Sequence, residues 1–338
     1  MTVFSSYRAV FICVSLFLAS AIISYNVHSP HGKVSWPEGS TPLTSKKPSL
    51  AFATFLAGKP GDETSTTPDD EDGYYLGARV LAYKLLHSPT TRSRRDIPFL
   101  VLVTEDVAQR KRDRLTKDGA TVITIEKITS EFVHTEIERW KDVLSKLRLF
   151  DMTQYTKICF IDADHLVVKR LEGVFEDDAT MVMATQNITS QTKDDEAPLP
   201  ATFMFASKTD AGGYSHPYPP EPGDYLNAGF FVFQPSKELF NYYLSVININ
   251  GRFDPGFPEQ NLFNYAHRRD GNMPWQQLLY SWNMNWPTEN DLRGGAASFH
   301  AKYWDGDPTH DPVLKEIWQQ QRWEMQGYYM GAEEAREE

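Results

Sequence analysis

The chain has 338 residues, 41% of them hydrophobic and 13% aromatic, enough for a sizeable core in one large domain or two small ones. A net charge of −11 and a pI near 5.3 exclude nucleic acid and an anionic membrane surface as the main partner. Part of the acidity is local: Glu333, Glu334, Glu337 and Glu338 read as a solvated tail, and Asp69, Asp70, Glu71 and Asp72 cluster in a loop. The two cysteines, Cys13 and Cys159, fall in an apolar N-terminal run and in a predicted strand, so no intrachain disulfide is expected.

Residues 9–27 form a nearly uncharged apolar run, close to the length that spans a bilayer. Ala19, Ser20 and Ala21 would suit a cleaved signal peptide, but the run continues through Ile22 and Ile23, which favours an uncleaved signal anchor. Arg8 on the short side predicts a cytoplasmic N-terminus and a lumenal body. The expected layout is therefore a cytoplasmic tip and anchor over 1–27, a stem rich in Pro, Gly, Ser and Thr over 28–49, a globular domain over 50–328 and an acidic tail over 329–338. The glycosylation sequon Asn187-Ile188-Thr189 fits a lumenal location.

The globular part opens with a predicted strand over 50–56 and a Gly/Asp/Thr/Pro loop to Asp72. A helix over 75–86 follows, with apolar residues at three- and four-residue spacing. A strand over 98–103, a charged helix over 106–118 ending at Gly119, and a strand over 121–125 complete a strand–helix–strand alternation. That pattern predicts βαβ units and a mainly parallel α/β sheet of nucleotide-binding type. A helix over 139–150 carries Trp140, Val143, Leu144, Leu147 and Phe150 on one stripe. Lys146 lies beside that stripe, where a lysine is ordinarily solvated.

Ile158-Cys159-Phe160-Ile161 then reads as a short buried strand that runs straight into Asp162-Ala163-Asp164. In an open α/β sheet, ligands bind beyond the carboxyl ends of the strands. Two carboxylates this close repel each other, and a divalent cation relieves the strain while taking its other oxygens from substrate phosphates. A solvated turn is the plain alternative for the motif on its own.

From 177 to 220 the chain is loop-rich, with strand-like pieces at 181–184 and 202–206. Leu226-Asn227-Ala228-Gly229 then leads into a very apolar strand ending at Gln234-Pro235-Ser236. Asn227 offers a donor and an acceptor to a sugar hydroxyl, and Gly229 permits close backbone approach; a simple strand entry is the other reading. A helix follows over 237–247, and another opens at Pro258 with Glu259 and Gln260 in its first turn, where a carboxylate compensates the helix dipole. Trp275, Tyr280, Trp282, Trp286, Tyr303 and Trp304 are core or sugar-stacking rings. His300 follows a predicted strand over 297–299 and would complete an O,O,N set with Asp162 and Asp164.

Lys146-Leu147, the run 149–157, Asp162-Ala163-Asp164, Leu226 to Gly229 with Gln234-Pro235-Ser236, Glu259-Gln260 with Leu262 and Asn264, and His300 occur in this order. The set resembles glycosyltransferase family 8, the glycogenin-like retaining transferases with a GT-A fold, and within it the single-span fungal members. The likeness covers roughly 50–304 and implies a GT-A-type, Rossmann-like mixed sheet flanked by helices. It implies that Phe52, Thr54, Phe55 and Leu56, with Tyr74 or Tyr75, cradle a uridine, and that Lys146 contacts the donor. Asp162, Asp164 and His300 resemble the family's Mn²⁺ ligands, with Mg²⁺ as the alternative ion. Asn227, Glu259 and Gln260 resemble the residues around the donor sugar, with Ala163, Ala228 and Gly229 beside them, and Lys302 stands where a lysine meets the diphosphate.

Two features depart from the family pattern. Glycogenins have Asp where this chain has Glu259, and the usual His-Phe-x-Gly-x-x-Lys-Pro-Trp motif is here His300-Ala301-Lys302-Tyr303-Trp304. The implied activity is Mn²⁺-dependent, retaining transfer of a hexose or N-acetylhexosamine from a UDP-sugar to a glycan or glycoconjugate, by a single-pass type II protein of the Golgi membrane. Front-face attack assisted by the leaving phosphate and double displacement through Glu259 both stay open. The rival readings are a catalytically silent sugar- or nucleotide-binding protein and a metal-dependent nucleotidyltransferase or phosphohydrolase.

Overall fold

The computed structural model describes residues 49–337 except 60, 67, 138 and 139. The expected tip, anchor and nearly all of the stem lie outside the described residues. Among the described residues no helix is long and apolar enough to cross a membrane.

β1 (Leu50–Leu56) is buried at every position, as its apolar run, interrupted only by Thr54, requires of a strand covered on both faces. α1 (Gly73–Ala82) starts where the Asp72 carboxylate accepts the Tyr75 N–H at 3.3 Å, and continues as a π-turn over Tyr83–His87. β2 (Phe99–Thr104) and β3 (Thr121–Ile125) flank α2 (Gln109–Lys117). α2 opens at Gln109 rather than at 106 because Asp62 holds its entry from outside. The Asp62 carboxylate accepts from the Ala108 N–H at 2.9 Å and from Lys111 Nζ at 2.6 Å.

The helix expected over 139–150 is instead a 3₁₀ segment over Val143–Asp151 that buries Val143, Leu144, Ser145, Lys146, Leu147, Leu149 and Phe150. Consecutive burial of this kind exceeds what the single stripe of an amphipathic α-helix presents. Trp140 leaves the expected stripe and packs against Phe257 at 5.1 Å. β4 (Lys157–Ile161) and β5 (His165–Val167) bracket the Asp-x-Asp turn. β6 (Met183–Ala184) and β7 (Thr202–Phe203) are a short antiparallel pair. The strand expected over 202–206 is thus split between β7 and β8 (Phe205–Thr209). β9 (Leu226–Phe233) leads to α3 (Lys237–Ile247), whose first turn is capped by the Ser236 hydroxyl. After α4 (Pro258–Ala266) come β10 (Gln276–Gln277), β11 (Met284–Asn285), α5 (Glu289–Gly294), β12 (Ser298–His300) and α6 (Pro312–Glu337).

The main sheet has seven strands in the order β10-β8-β9-β4-β1-β2-β3. β1, β2, β3 and β4 are mutually parallel, as the βαβ pattern predicts. β9 is inserted antiparallel between β4 and β8, which makes the sheet mixed. Its register pairs Ile161 with Phe230, so the end of β4 and the beginning of β9 meet at one edge. A second sheet, β11-β12-β5, places His300 opposite both His165 and Asn285. α6 covers this second sheet and buries Leu314, Trp318 and Met325 in one cluster with Leu76, Val80 and Phe299.

Residues 329–337, expected as a solvated tail, are the last turns of α6. The Tyr329 hydroxyl donates to the Asp118 carbonyl at 3.1 Å, and Glu333 Oε1 pairs with Arg114 at 2.7 Å and Lys117 at 2.9 Å. One tail carboxylate, Glu333, is thus a counter-charge for α2, while Glu334 stays exposed. Cys159 is buried and free.

Candidate active site

Seven charged or titratable groups, Lys146, Asp162, Asp164, His165, Glu259, His300 and Lys302, converge beyond the end of β4. Lys146 is buried rather than solvated, and its ammonium donates to Asp162 Oδ1 and to Glu259 Oε1, each at 2.8 Å. The 3₁₀ geometry of its segment turns Lys146 inward, over the Phe160 ring at 4.9 Å. Burial works against that charge, but Asp162 and Glu259 outweigh it and hold the lysine above its ordinary pKa. α4 supplies Glu259 from its first turn, with Pro258 at the start of the helix.

Asp164 is also buried. Its Oδ1 lies 3.0 Å from His300 Nε2, and its Oδ2 lies 3.0 Å from Lys302 Nζ. Burial pushes the Asp164 carboxyl up, yet His300 and Lys302 hold it well below the usual carboxylate range. At Asp162 burial wins: with the Asp164 charge added, this carboxyl is pushed above its ordinary value in spite of Lys146. Two neighbouring carboxylates that resist charging together are the electrostatic setting a cation relieves.

The residues present fit a divalent ion. Asp164 Oδ1 is buried and has no hydrogen-bond partner, although His300 Nε2 is near. Asp162 Oδ2 is 3.7 Å from the same His300 nitrogen. The sequence reading overlooked His165. Ligand atoms of Asp164, His165 and His300 lie within 4.8 Å of one another. His165 Nδ1 is 2.9 Å from the Asp162 carbonyl, which can only accept, so Nδ1 carries the proton. Its Nε2 is then a lone pair, buried and unpartnered. Burial, with the neighbouring His300, pushes the His165 pKa well below the ordinary value and keeps the ring neutral. The two imidazoles stack at 4.4 Å. The signal that would have found His165 is its position immediately after Asp-x-Asp, in a strand paired with His300.

Other expected site residues stand differently. Asn227 does not offer its amide freely: Nδ2 donates to Asp210 Oδ2 at 2.9 Å and Oδ1 accepts the Gly229 N–H at 3.0 Å. Gln260 fixes β9, accepting the Ala228 N–H at 2.9 Å and donating to the Tyr225 hydroxyl at 3.0 Å. The close approach that Gly229 permits is to His300, because a Cβ there would lie 2.2 Å from His300 Cε1. Gly229→Ala is therefore expected to displace the imidazole and weaken divalent-cation binding by about 10- to 100-fold, the range for groups that orient a ligand. Calorimetric titration of the folded variant checks this.

Ala163 is buried, and its carbonyl sits against α1 where a Cβ on Gly77 would lie 2.1 Å away. Phe52, Thr54, Phe55 and Leu56 are buried in β1, so their side chains serve the core. Of the two tyrosines, Tyr75 is buried near Lys111 and Arg79. Tyr74 faces the site, 6.0 Å from Lys302 Nζ and edge-on to Trp304 at 5.3 Å. Trp275 and Tyr303 are core, whereas Trp286 is exposed. A cavity of about 290 Å³ lined by Gln191, Tyr242, Arg268 and Met273, among others, shares no residue with this cluster.

Comparison with known proteins agrees with this chemistry. The family model described as glycosyl transferase family 8 matches residues 70–300. An uncharacterized protein of Schizosaccharomyces pombe is 32% identical over 302 residues, covering 78% of each chain. Glycogenin-1 of Oryctolagus cuniculus is 29% identical over 209 residues, covering 60% of this chain and 50% of that one. The crystal structure of the galactosyltransferase LgtC in complex with donor and acceptor sugar analogues covers 80% of this chain and 95% of that one, with 15% identity and a TM-score of 0.41. With more than half of its length matched by the family model and with a converging Asp/His/Lys cluster at the strand ends, the chain belongs to glycosyltransferase family 8 and is a glycosyltransferase.

Proposed function

We propose that this protein is a retaining, GT-A-type transferase that moves a hexose or N-acetylhexosamine from a UDP-sugar to a glycan or glycoconjugate acceptor. The observation that carries this reading is the Lys146 ammonium held 2.8 Å from both Asp162 and Glu259. It joins a cation-binding end of the site to a carboxylate that faces a reacting sugar. Asp162, Asp164 and His300, with His165 beside them, would hold Mn²⁺ or Mg²⁺. When bound, the ion supplies positive charge to the departing diphosphate.

The chain's own residues do the rest. Lys146, paired with Asp162 and Glu259, and Lys302, paired with Asp164, bring positive charge to the place where negative charge develops as the sugar–phosphate bond breaks. Tyr74 stands beside Lys302 on the β1 side, where a nucleoside would lie. Glu259, fixed by Lys146, presents its carboxylate to an oxocarbenium-like anomeric carbon, as electrostatic stabiliser or as nucleophile. The proposal extends to the setting: residues 9–27 anchor a lumenal body in the Golgi membrane, and the exposed Asn187 accepts a glycan.

The test is a thermal-shift and UDP-release screen of the detergent-solubilised full chain against UDP-sugars, with and without Mn²⁺. A UDP-sugar at a hundred times its dissociation constant should stabilise the protein by about 2.7 kcal/mol. A shift that requires Mn²⁺ and favours one UDP-sugar, with release of UDP, is the expected result. Folded protein that neither shifts nor releases UDP would overturn the reading, and release of pyrophosphate would move it to the nucleotidyltransferases.

A further inference from the structure

Trp286 follows β11 directly, one residue after Asn285, the register partner of His300. Its φ of 54° lies in the left-handed region that a bulky side chain rarely adopts. Several bonds hold it there. Its indole N–H donates to Asp210 Oδ1 at 3.0 Å, its carbonyl lies 3.0 Å from His216 Nε2, and the Tyr214 ring packs edge-on at 5.2 Å. One residue back, the buried Lys208 ammonium donates to the Asn285 side-chain oxygen. Trp286 is nevertheless 42% exposed, while Trp275 and Trp318 are fully buried. Its polar edge is already bonded, so what it offers to solvent is an apolar face, held on a strained backbone.

Asp210 connects that face to the reaction end of the site. Its Oδ1 also accepts the Gly212 N–H at 2.9 Å, and its Oδ2 accepts Asn227 Nδ2 at 2.9 Å. Asn227 Oδ1 holds the Gly229 N–H, and Gly229 touches the His300 ring. Sheet order separates two sides of β4. Asp210, just past the end of β8, and Asn227, in β9, lie on the side of β4 away from β1, whereas Tyr74 and Lys302 meet each other at 6.0 Å outside that pair of strands.

We propose that Trp286, walled by Tyr214, is the platform on which a pyranose ring of the acceptor glycan stacks, presenting a hydroxyl toward the Asn227 and His300 end. The inference rests on the transferase reading above. A pyranose suits the place because it has one apolar face to lay on the exposed indole ring, whose N–H is already bonded to Asp210, and because the transfer proposed above needs a sugar hydroxyl near this end of the site.

The experiment compares the full-length wild type with Trp286→Ala and Trp286→Phe, using methyl glycosides of glucose, galactose and mannose as acceptors. Donor and acceptor KM, kcat and UDP release without acceptor are measured for each. Trp286→Ala should raise the acceptor KM about tenfold or more, while Trp286→Phe, which keeps a flat ring, recovers most of it. Donor KM should stay within about twofold in both, which shows that the fold and the nucleotide side are intact. An acceptor KM unchanged in Trp286→Ala, or no methyl glycoside used by a wild type that releases UDP, overturns the platform. A wild type that releases no UDP at all overturns the transferase reading instead.

Discussion

Lys146→Met is expected to cost about 3–5 kcal/mol of stability, the usual consequence of removing one partner from a buried ion pair and leaving the others charged. The methionine fills the same volume, so the loss is electrostatic: Asp162 and Glu259 are left in a dry site without their shared ammonium. Denaturant unfolding at neutral pH measures it. Adding Glu259→Gln to Lys146→Met should restore part of the loss, because one of the two stranded charges is gone. Transfer should fall by about 10²–10³, as for loss of a preorganised charge aimed at a transition state. A stability change below about 1 kcal/mol would place Lys146 among ordinary exposed ion pairs and remove it from the centre of the site.

Asp164→Asn is expected to abolish divalent-cation binding and to lower turnover by at least about 10³-fold, given the charge that a bound ion supplies to a leaving group. The substitution is nearly isosteric. It exchanges one carboxylate oxygen for an amide nitrogen that cannot ligate the ion, and it removes the negative charge that His300 and Lys302 face. Titration of the cation by calorimetry should show no heat of binding, while circular dichroism shows the native fold. Wild-type turnover by Asp164→Asn would mean that the cluster is a structural ion-pair network and not a metal site.

Much of the scaffold was legible in the chain. The strands over 50–56 and 121–125 and the helix over 237–247 coincide with β1, β3 and α3. β1 carried a two-sided apolar run, and α3 carried its cap at Ser236 beside an apolar periodicity. The positions of Asp162, Asp164 and His300 around one point also followed from the order of motifs. What local pattern could not show is who pairs with whom. Lys146 looked like a surface lysine because its two carboxylate partners lie 16 and 113 residues away. Asn227 looked free because Asp210 precedes it by 17 residues in a loop-rich stretch. Gly229 carried the signature of close approach, but the approaching group, His300, comes from a different sheet. The 3₁₀ segment was misjudged for a related reason: tertiary burial decided it, and propensity did not.

The pairing of β5 with β12 sets an order of events during synthesis. A growing chain displays both aspartates and His165 long before the ribosome reaches His300, and until then β5 has no strand beside it in its own sheet. Cotranslational folding proceeds from the N-terminus, so the seven-stranded sheet can close from β1 to β9 and most of its core can form first. The second sheet waits for the last strand, and its apolar cover waits for α6. A cation that needs His300 would therefore find its full ligand set only after β12 has been made. A chain interrupted after α4 would carry a largely built sheet and an unfilled ligand set, a form that quality control can distinguish from the finished enzyme by its exposed Leu76, Val80 and Leu166.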